Sequence, residues 1–243
     1  MNVKTLRARL VVPVLAAAGL AGCARAPEGD ALFPLDAGRQ WTYRVTTAWE
    51  GEVTERETLT LRALGADRPE GLPDEPPAWH RRSDSGVDYW LRSDASGIYR
   101  VASKSDLEAE AQRDPAPRYV LKAPYEPGTQ WQAPTTAYVL ARTSEFPREL
   151  RHTHRNIPMA YRIESTGQGL DTPAGRFEGC LKVVGTASVR VYADPTAGWR
   201  DLPLTTTEWY CAGVGLARLE RTEPANSPFL TGGSLTMELE SWQ

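Results

Sequence analysis

The chain has 243 residues, with 28 basic and 31 acidic side chains, a formal net charge of −3 and 41% hydrophobic residues. A slightly acidic balance argues against a nucleic-acid binder, which needs basic patches or stripes. The length suffices for a sizeable core, as one large all-β domain or two small ones.

Lys4, Arg7 and Arg9 precede an apolar run of about a dozen residues, Leu10 to Ala21. A bilayer span takes about 20 apolar residues, so this run is too short to cross, and its flanks suit a secretory signal. It ends Leu20-Ala21-Gly22-Cys23, which resembles the bacterial lipobox: a branched apolar residue, two small ones, then cysteine. The resemblance implies that residues 1–22 are a lipoprotein signal peptide and that Cys23 becomes an acylated N-terminus. Several acyl chains anchor stably where one does not. Ala24, in place of an aspartate, favours the outer membrane by likeness to Gram-negative sorting, with the protein on the periplasmic side. Removal of residues 1–22, which hold three basic and no acidic side chains, leaves 221 residues with a formal charge of −6. Residues 23–30 read as a lipidated polar tether, and residues 31–243 as a single β-rich domain.

Folded structure is expected from Phe33. Pro34-Leu35-Asp36-Ala37-Gly38-Arg39-Gln40-Trp41 recurs ninety positions later as Pro124-Tyr125-Glu126-Pro127-Gly128-Thr129-Gln130-Trp131. Proline presets an extended approach, glycine supplies a turn, and tryptophan enters the next strand facing the core. The match is read as two related halves, 31–120 and 121–243. Strands are expected at Trp41–Trp49 and Glu52–Arg62, then a proline-rich loop from Arg68 to Pro77. A meander follows from Trp79 to Ala102, with turns at Asp84-Ser85-Gly86 and Asp94-Ala95-Ser96-Gly97. Ser105-Asp106-Leu107-Glu108 has the form of a capping box, so a short helix ending by Pro115 is expected there. Further strands are placed at Tyr119–Lys122, Ala137–Thr143, Met159–Glu164 and Ser234–Trp242.

The most regular stretch runs from Gly169 to Arg221. In it Leu181, Val183, Ala187, Val189 and Val191 alternate with Lys182, Thr186, Ser188 and Arg190, the period of a strand with one buried face. With Cys23 lipidated, Cys180 and Cys211 remain; an even remainder in an oxidising compartment suggests one disulfide between neighbouring strands. Many short strands with turn signals point to a mostly β fold: an antiparallel curved sheet, half-barrel or sandwich with few short helices. The Pro-x-x-x-Gly-x-x-Trp starts, Pro173-Ala174-Gly175-x-Phe177-x-x-Cys180 and Trp209-Tyr210-x-x-Gly213-Val214-Gly215-Leu216 resemble signatures of uncharacterised bacterial envelope lipoproteins. That resemblance implies an antiparallel β-rich fold, of the curved half-barrel kind seen in lipoprotein carriers, and supplies no catalytic residues.

Candidate chemistry is sparse. His152 and His154 would share one face of a strand, but zinc needs three or four ligands and the surrounding arginines repel a cation. His80 stands alone. Glu108 and Glu110 fit a solvated face. No Gly-x-Ser-x-Gly elbow occurs, and Gly213-Val214-Gly215 lacks the third glycine and following helix of a dinucleotide loop. No catalytic residue, metal or cofactor is therefore expected. Eight tryptophans and nine tyrosines serve the core or line a cleft for an acyl chain, glycan or peptide. The expected role is non-enzymatic binding of an apolar or amphipathic ligand or an envelope partner. The alternatives are a purely structural assembly accessory and a hydrolase of envelope material.

In cells that process lipoproteins, Cys23→Ser should accumulate at precursor length and fail to partition with detergent, as an immunoblot after phase separation would record. Normal processing of that variant would refute the lipobox reading.

Overall fold

A computed structural model describes residues 29–51, 53–143, 149–154, 156–194, 196 and 198–243. One helical turn, α1 (Gly29–Leu32), leads into strands β1 (Gln40–Trp49), β2 (Thr54–Asp67), β3 (Ala78–Ser83), β4 (Val87–Asp94), β5 (Gly97–Ser105) and β6 (Gln112–Lys122). The second part holds β7 (Gln130–Thr135), β8 (Ala141–Arg142), a 3-10 turn at Leu150–His152, β9 (Ile157–Thr172), β10 (Gly175–Asp194), β11 (Gly198–Cys211), β12 (Gly215–Glu223), β13 (Leu230–Thr231) and β14 (Gly233–Trp242). Twelve strands form one antiparallel sheet in the order β6-β5-β4-β3-β2-β1-β14-β12-β11-β10-β9-β7, and β8 pairs with β13 in a separate ladder. The terminal strands β6 and β7 meet without sharing a ladder, so the sheet is a nearly closed barrel with one open seam. Of the architectures the strand spacing left open, the curved antiparallel sheet is the one formed.

The sheet consists of two six-stranded meanders joined where β1 pairs β14, from Trp41 opposite Trp242 to Trp49 opposite Gly233. The paired Pro…Gly…Gln-Trp segments open the two meanders. Gly38 (φ 85°) and Gly128 (φ 97°) both take the left-handed backbone that other residues resist. The Gly38 N–H donates to Ala63 on β2 at 2.8 Å, and the Ala63 N–H returns to Arg39 at 2.8 Å. Gly128 does the same with Ile163 on β9, at 2.9 Å each way through Thr129. Trp41 and Trp131 then turn inward and are buried. The boundary set at 120/121 falls inside β6, two residues before its end.

Leu32, Phe33 and Leu35 of the N-terminal segment pack into the barrel against Leu91, Ile98, Leu121, Trp131, Leu181 and Tyr210. The helix thus begins two residues inside the stretch expected as tether. The N–H of Gly213 donates to Ala31 at 2.7 Å, and a guanidinium N–H of Arg81 donates to the Pro34 carbonyl, fixing the segment at one barrel end. Beyond the barrel, the far halves of β10 and β11 carry a second core of Val189, Val191, Leu202 and Leu204, closed by Leu140, Leu150 and Leu230. Cys180 and Cys211 are bonded across β10 and β11, with Cα atoms 4.2 Å apart, and pack with Leu170 and Ala217. Closing a loop of this size stabilises by about 3–4 kcal/mol in the chain-entropy model.

Two expectations are corrected. The Ser105 N–H and hydroxyl do donate to the Glu108 carboxylate, at 2.7 and 2.9 Å, but they close a turn and no helix follows. Leu107 is 97% exposed, so a helix here would have no apolar face to offset its nucleation cost. Pro115 lies instead in an irregular stretch of edge strand β6, where a missing N–H costs no ladder bond. The strand expected at Ala137–Thr143 shrinks to Ala141–Arg142. The N–H groups of Tyr138, Val139 and Leu140 bind the Glu223 carboxylate at 2.8–3.1 Å instead of a neighbouring strand.

Glu223 is fully buried and also accepts Arg221 Nε at 2.7 Å. Removing one partner of a buried pair leaves the other charge uncompensated. Glu223→Ala should therefore cost about 3–5 kcal/mol in urea denaturation. A loss below about 1 kcal/mol would show that the carboxylate does not clamp this loop.

Candidate functional site

A cavity of about 310 Å3 lies inside the barrel. Pleating directs alternate side chains inward, so most wall strands contribute one or two residues, and edge strand β6 contributes three, Arg118, Tyr119 and Val120. Leu61, Leu91, Leu216, Leu219, Phe33 and Ala133 form the apolar walls. The polar lining comprises Arg81, Arg100, Arg118, Glu208 and a set of tyrosines. Tyr119 and Val120 of β6 and Ala133 and Pro134 of β7 bring the cavity to the open seam. Apart from Phe33 the aromatic lining is thus tyrosine; Trp41, Trp90 and Trp131 are core residues.

The polar groups differ in how well they are satisfied. Arg100 is held by Asp114 through two 2.7 Å bonds. Arg81 stacks over Phe33 and Trp41, 4.0 and 4.2 Å from the ring centres, and its Nε has no hydrogen-bond partner among the described residues. Burial away from water lowers its pKa to about 10. Tyr43 donates to the Leu216 carbonyl at 2.8 Å, and burial pushes its hydroxyl up. The Tyr210 hydroxyl donates to Glu208 at 2.6 Å. Glu208 is enclosed by protein yet keeps partial accessibility because it faces the cavity. Loss of hydration raises its pKa, and the bonds from Tyr210 and Thr206 and the Arg221 charge only partly oppose this. The Tyr161 hydroxyl is likewise pushed up, by burial first and by Glu208 second.

The residues singled out in the sequence lie elsewhere. Cys23 is outside the described residues. Cys180 and Cys211 form a structural bond and do not line the cavity. His80 bridges Asp67 and Asp88 at 2.8 and 2.7 Å and stacks on Trp90 at 4.6 Å. His154 bonds its neighbour Thr153, and the side chain of His152 is outside the described set. Glu108 and Glu110 are exposed. Among the described residues no group of three acidic, histidine or cysteine side chains could hold a metal ion.

Fold and cavity together define the class: a twelve-stranded antiparallel β barrel with an amphipathic interior site. No protein-family model and no curated protein matches the chain. Two solved structures are similar to it: a candidate lipoprotein from Parabacteroides distasonis and a candidate exported protein with a YmcC-like fold from Bacteroides fragilis. Each is 16% identical and covers 87% of this chain and 98% of its own, with a TM-score of 0.37. At that level of superposition the site is read from this chain's own residues.

Because the folded state holds the Glu208 proton more tightly than the unfolded chain does, its contribution to stability falls as pH rises through the window above the usual carboxylate range. Glu208→Gln cannot ionise. Its melting temperature should exceed the parent's at pH 8 and differ least at pH 4; a pH-independent difference would overturn this account of Glu208.

Proposed function

We propose that the protein is a lipid-anchored envelope protein, carried on Cys23 at the periplasmic face of the outer membrane, that holds a compact amphipathic molecule inside its barrel without changing it chemically. One observation carries the reading: a cavity, open at the seam, with apolar walls and a few convergent polar groups, the usual make-up of a small-ligand site. Its size lies at the low end of the range for such sites, about 300–1,000 Å3. A compact ligand suits it better than a two-chain lipid.

Catalysis has one observation in its favour, the raised pKa of Glu208 in the cavity. Glycoside hydrolysis needs two carboxyl groups flanking the bond, and Glu208 is the one carboxyl among the lining residues. The described lining also offers no serine, cysteine, lysine or histidine nucleophile.

Residues 24–243, which retain every described residue, should bind the neutral probe N-phenyl-1-naphthylamine saturably at one site. Leu219→Trp, which fills part of the cavity, should weaken that binding at least tenfold while shifting the melting temperature by only a few degrees. Absence of saturable binding by this probe and by envelope lipid extracts, with a stoichiometric protein captured instead, would replace this reading with an assembly accessory. Turnover of an ester, amide or glycoside, lost in Glu208→Gln, would replace it with an enzyme.

A further inference from the structure

The interior charges do not balance. Three guanidinium groups, Arg81, Arg100 and Arg118, line the cavity against one carboxyl, Glu208. Asp114 neutralises Arg100. Arg81 is committed to Phe33, Trp41 and the Pro34 carbonyl. Arg118 makes no hydrogen bond or ion pair among the described residues, although it is half-buried on edge strand β6. It also stands directly opposite Arg100 in the β5–β6 register. Like charges facing each other across a ladder destabilise it, and desolvation adds to the cost. Asp114 lies within electrostatic reach but is bonded to Arg100, so burial and Arg100 outweigh it, and such a cation is retained at a stability cost unless something else meets it there.

The hydroxyls around it are free in the same sense. Tyr43, Tyr99, Tyr119 and Tyr210 all donate to protein oxygens. The hydroxyls of cavity-lining Tyr89 and Tyr161 bond nothing among the described residues, and both lie within electrostatic reach of Arg118. An arginine fork flanked by phenolic donors is the arrangement that binds a carboxylate or phosphate oxygen.

We propose that Arg118, with the hydroxyls of Tyr89 and Tyr161, receives the anionic head of the ligand, a carboxylate or a phosphate monoester, while the leucine-lined walls take its apolar part. This rests on the interior-site reading above. Burial pushes both tyrosine hydroxyls up, so they remain donors at neutral pH. Because Arg118 stands on the strand that borders the seam, the head lies close to the break in the barrel wall.

Calorimetric titration of residues 24–243 at pH 7.5 with decanoate, decyl phosphate, decanol and inorganic phosphate tests this. One or both amphiphilic anions should bind at least tenfold more tightly than decanol, and inorganic phosphate at least tenfold more weakly than the better of them. Arg118→Gln should cost that anion tenfold to a hundredfold and leave decanol unchanged, as loss of a charge-assisted bond requires. Arg118→Lys should restore part of the loss. Arg118→Gln should melt no lower than the parent, because the guanidinium bonds nothing in the fold. Decanol binding as tightly as the anions, or Arg118→Gln binding them normally, would overturn the anionic head and leave the interior site standing. Inorganic phosphate binding as tightly as decyl phosphate would overturn the apolar part. Failure of every titrant, decanol and N-phenyl-1-naphthylamine included, would overturn the interior site itself.

Discussion

A twelve-stranded sheet curled on itself encloses more space than its own inward side chains can fill. Eight strands make an interior just wide enough for side chains, and sixteen leave a channel. Twelve lie between, and much of this molecule's architecture answers that excess. The N-terminal segment is drawn inside so that Leu32, Phe33 and Leu35 complete the core. The inward positions are given to long side chains, tyrosine and arginine, which reach across a wide interior where valine would not. What remains unfilled is the cavity.

Filling a barrel with polar side chains brings charge into low-dielectric surroundings, and the protein handles each charge differently. Glu223 is satisfied by three backbone N–H groups and Arg221, and so shapes the 138–140 segment that covers the outer core. Glu50, although exposed, plays a similar part on the neighbouring loop, accepting from Ala225, Asn226 and Gly232. Arg81 is sheathed in aromatic rings, which present their negative faces to it. In each case the charge orders a segment that has no ladder partner of its own. Arg118 orders nothing, which separates it from the structural charges.

Strands with one face toward the core were legible because period-two alternation registers that directly: the meander of β3 to β5 and the long run of β10 lie where the pattern places them. The cysteine pair was legible from parity and strand position. The Ser105–Glu108 turn misled because its side-chain bonds are those of a helix start, while the absence of an apolar face beyond it decides the outcome. The 137–140 segment misled because its partner is a carboxylate 83 to 85 residues away. The site was illegible for a related reason. Tyr89, Arg118, Tyr161 and Glu208 come from four strands and occupy inward positions with the same periodicity as core residues. Nothing local distinguishes an inward tyrosine that fills space from one that faces it.

The pairing of β1 with β14 also governs how the chain reaches this state. Trp41 is opposite Trp242, so the first strand of the barrel has no neighbour on one side until the last strand has been synthesised. Contacts of such sequence separation carry a large loop-closure cost and slow the final step. The strand pairs of the first meander are local, but its leading edge stays open until β14 arrives, an invitation to pairing with other chains while it lasts. Loss of even the final ten residues would leave that edge permanently exposed, so the carboxyl end of this protein is as much a part of its beginning as β2 is.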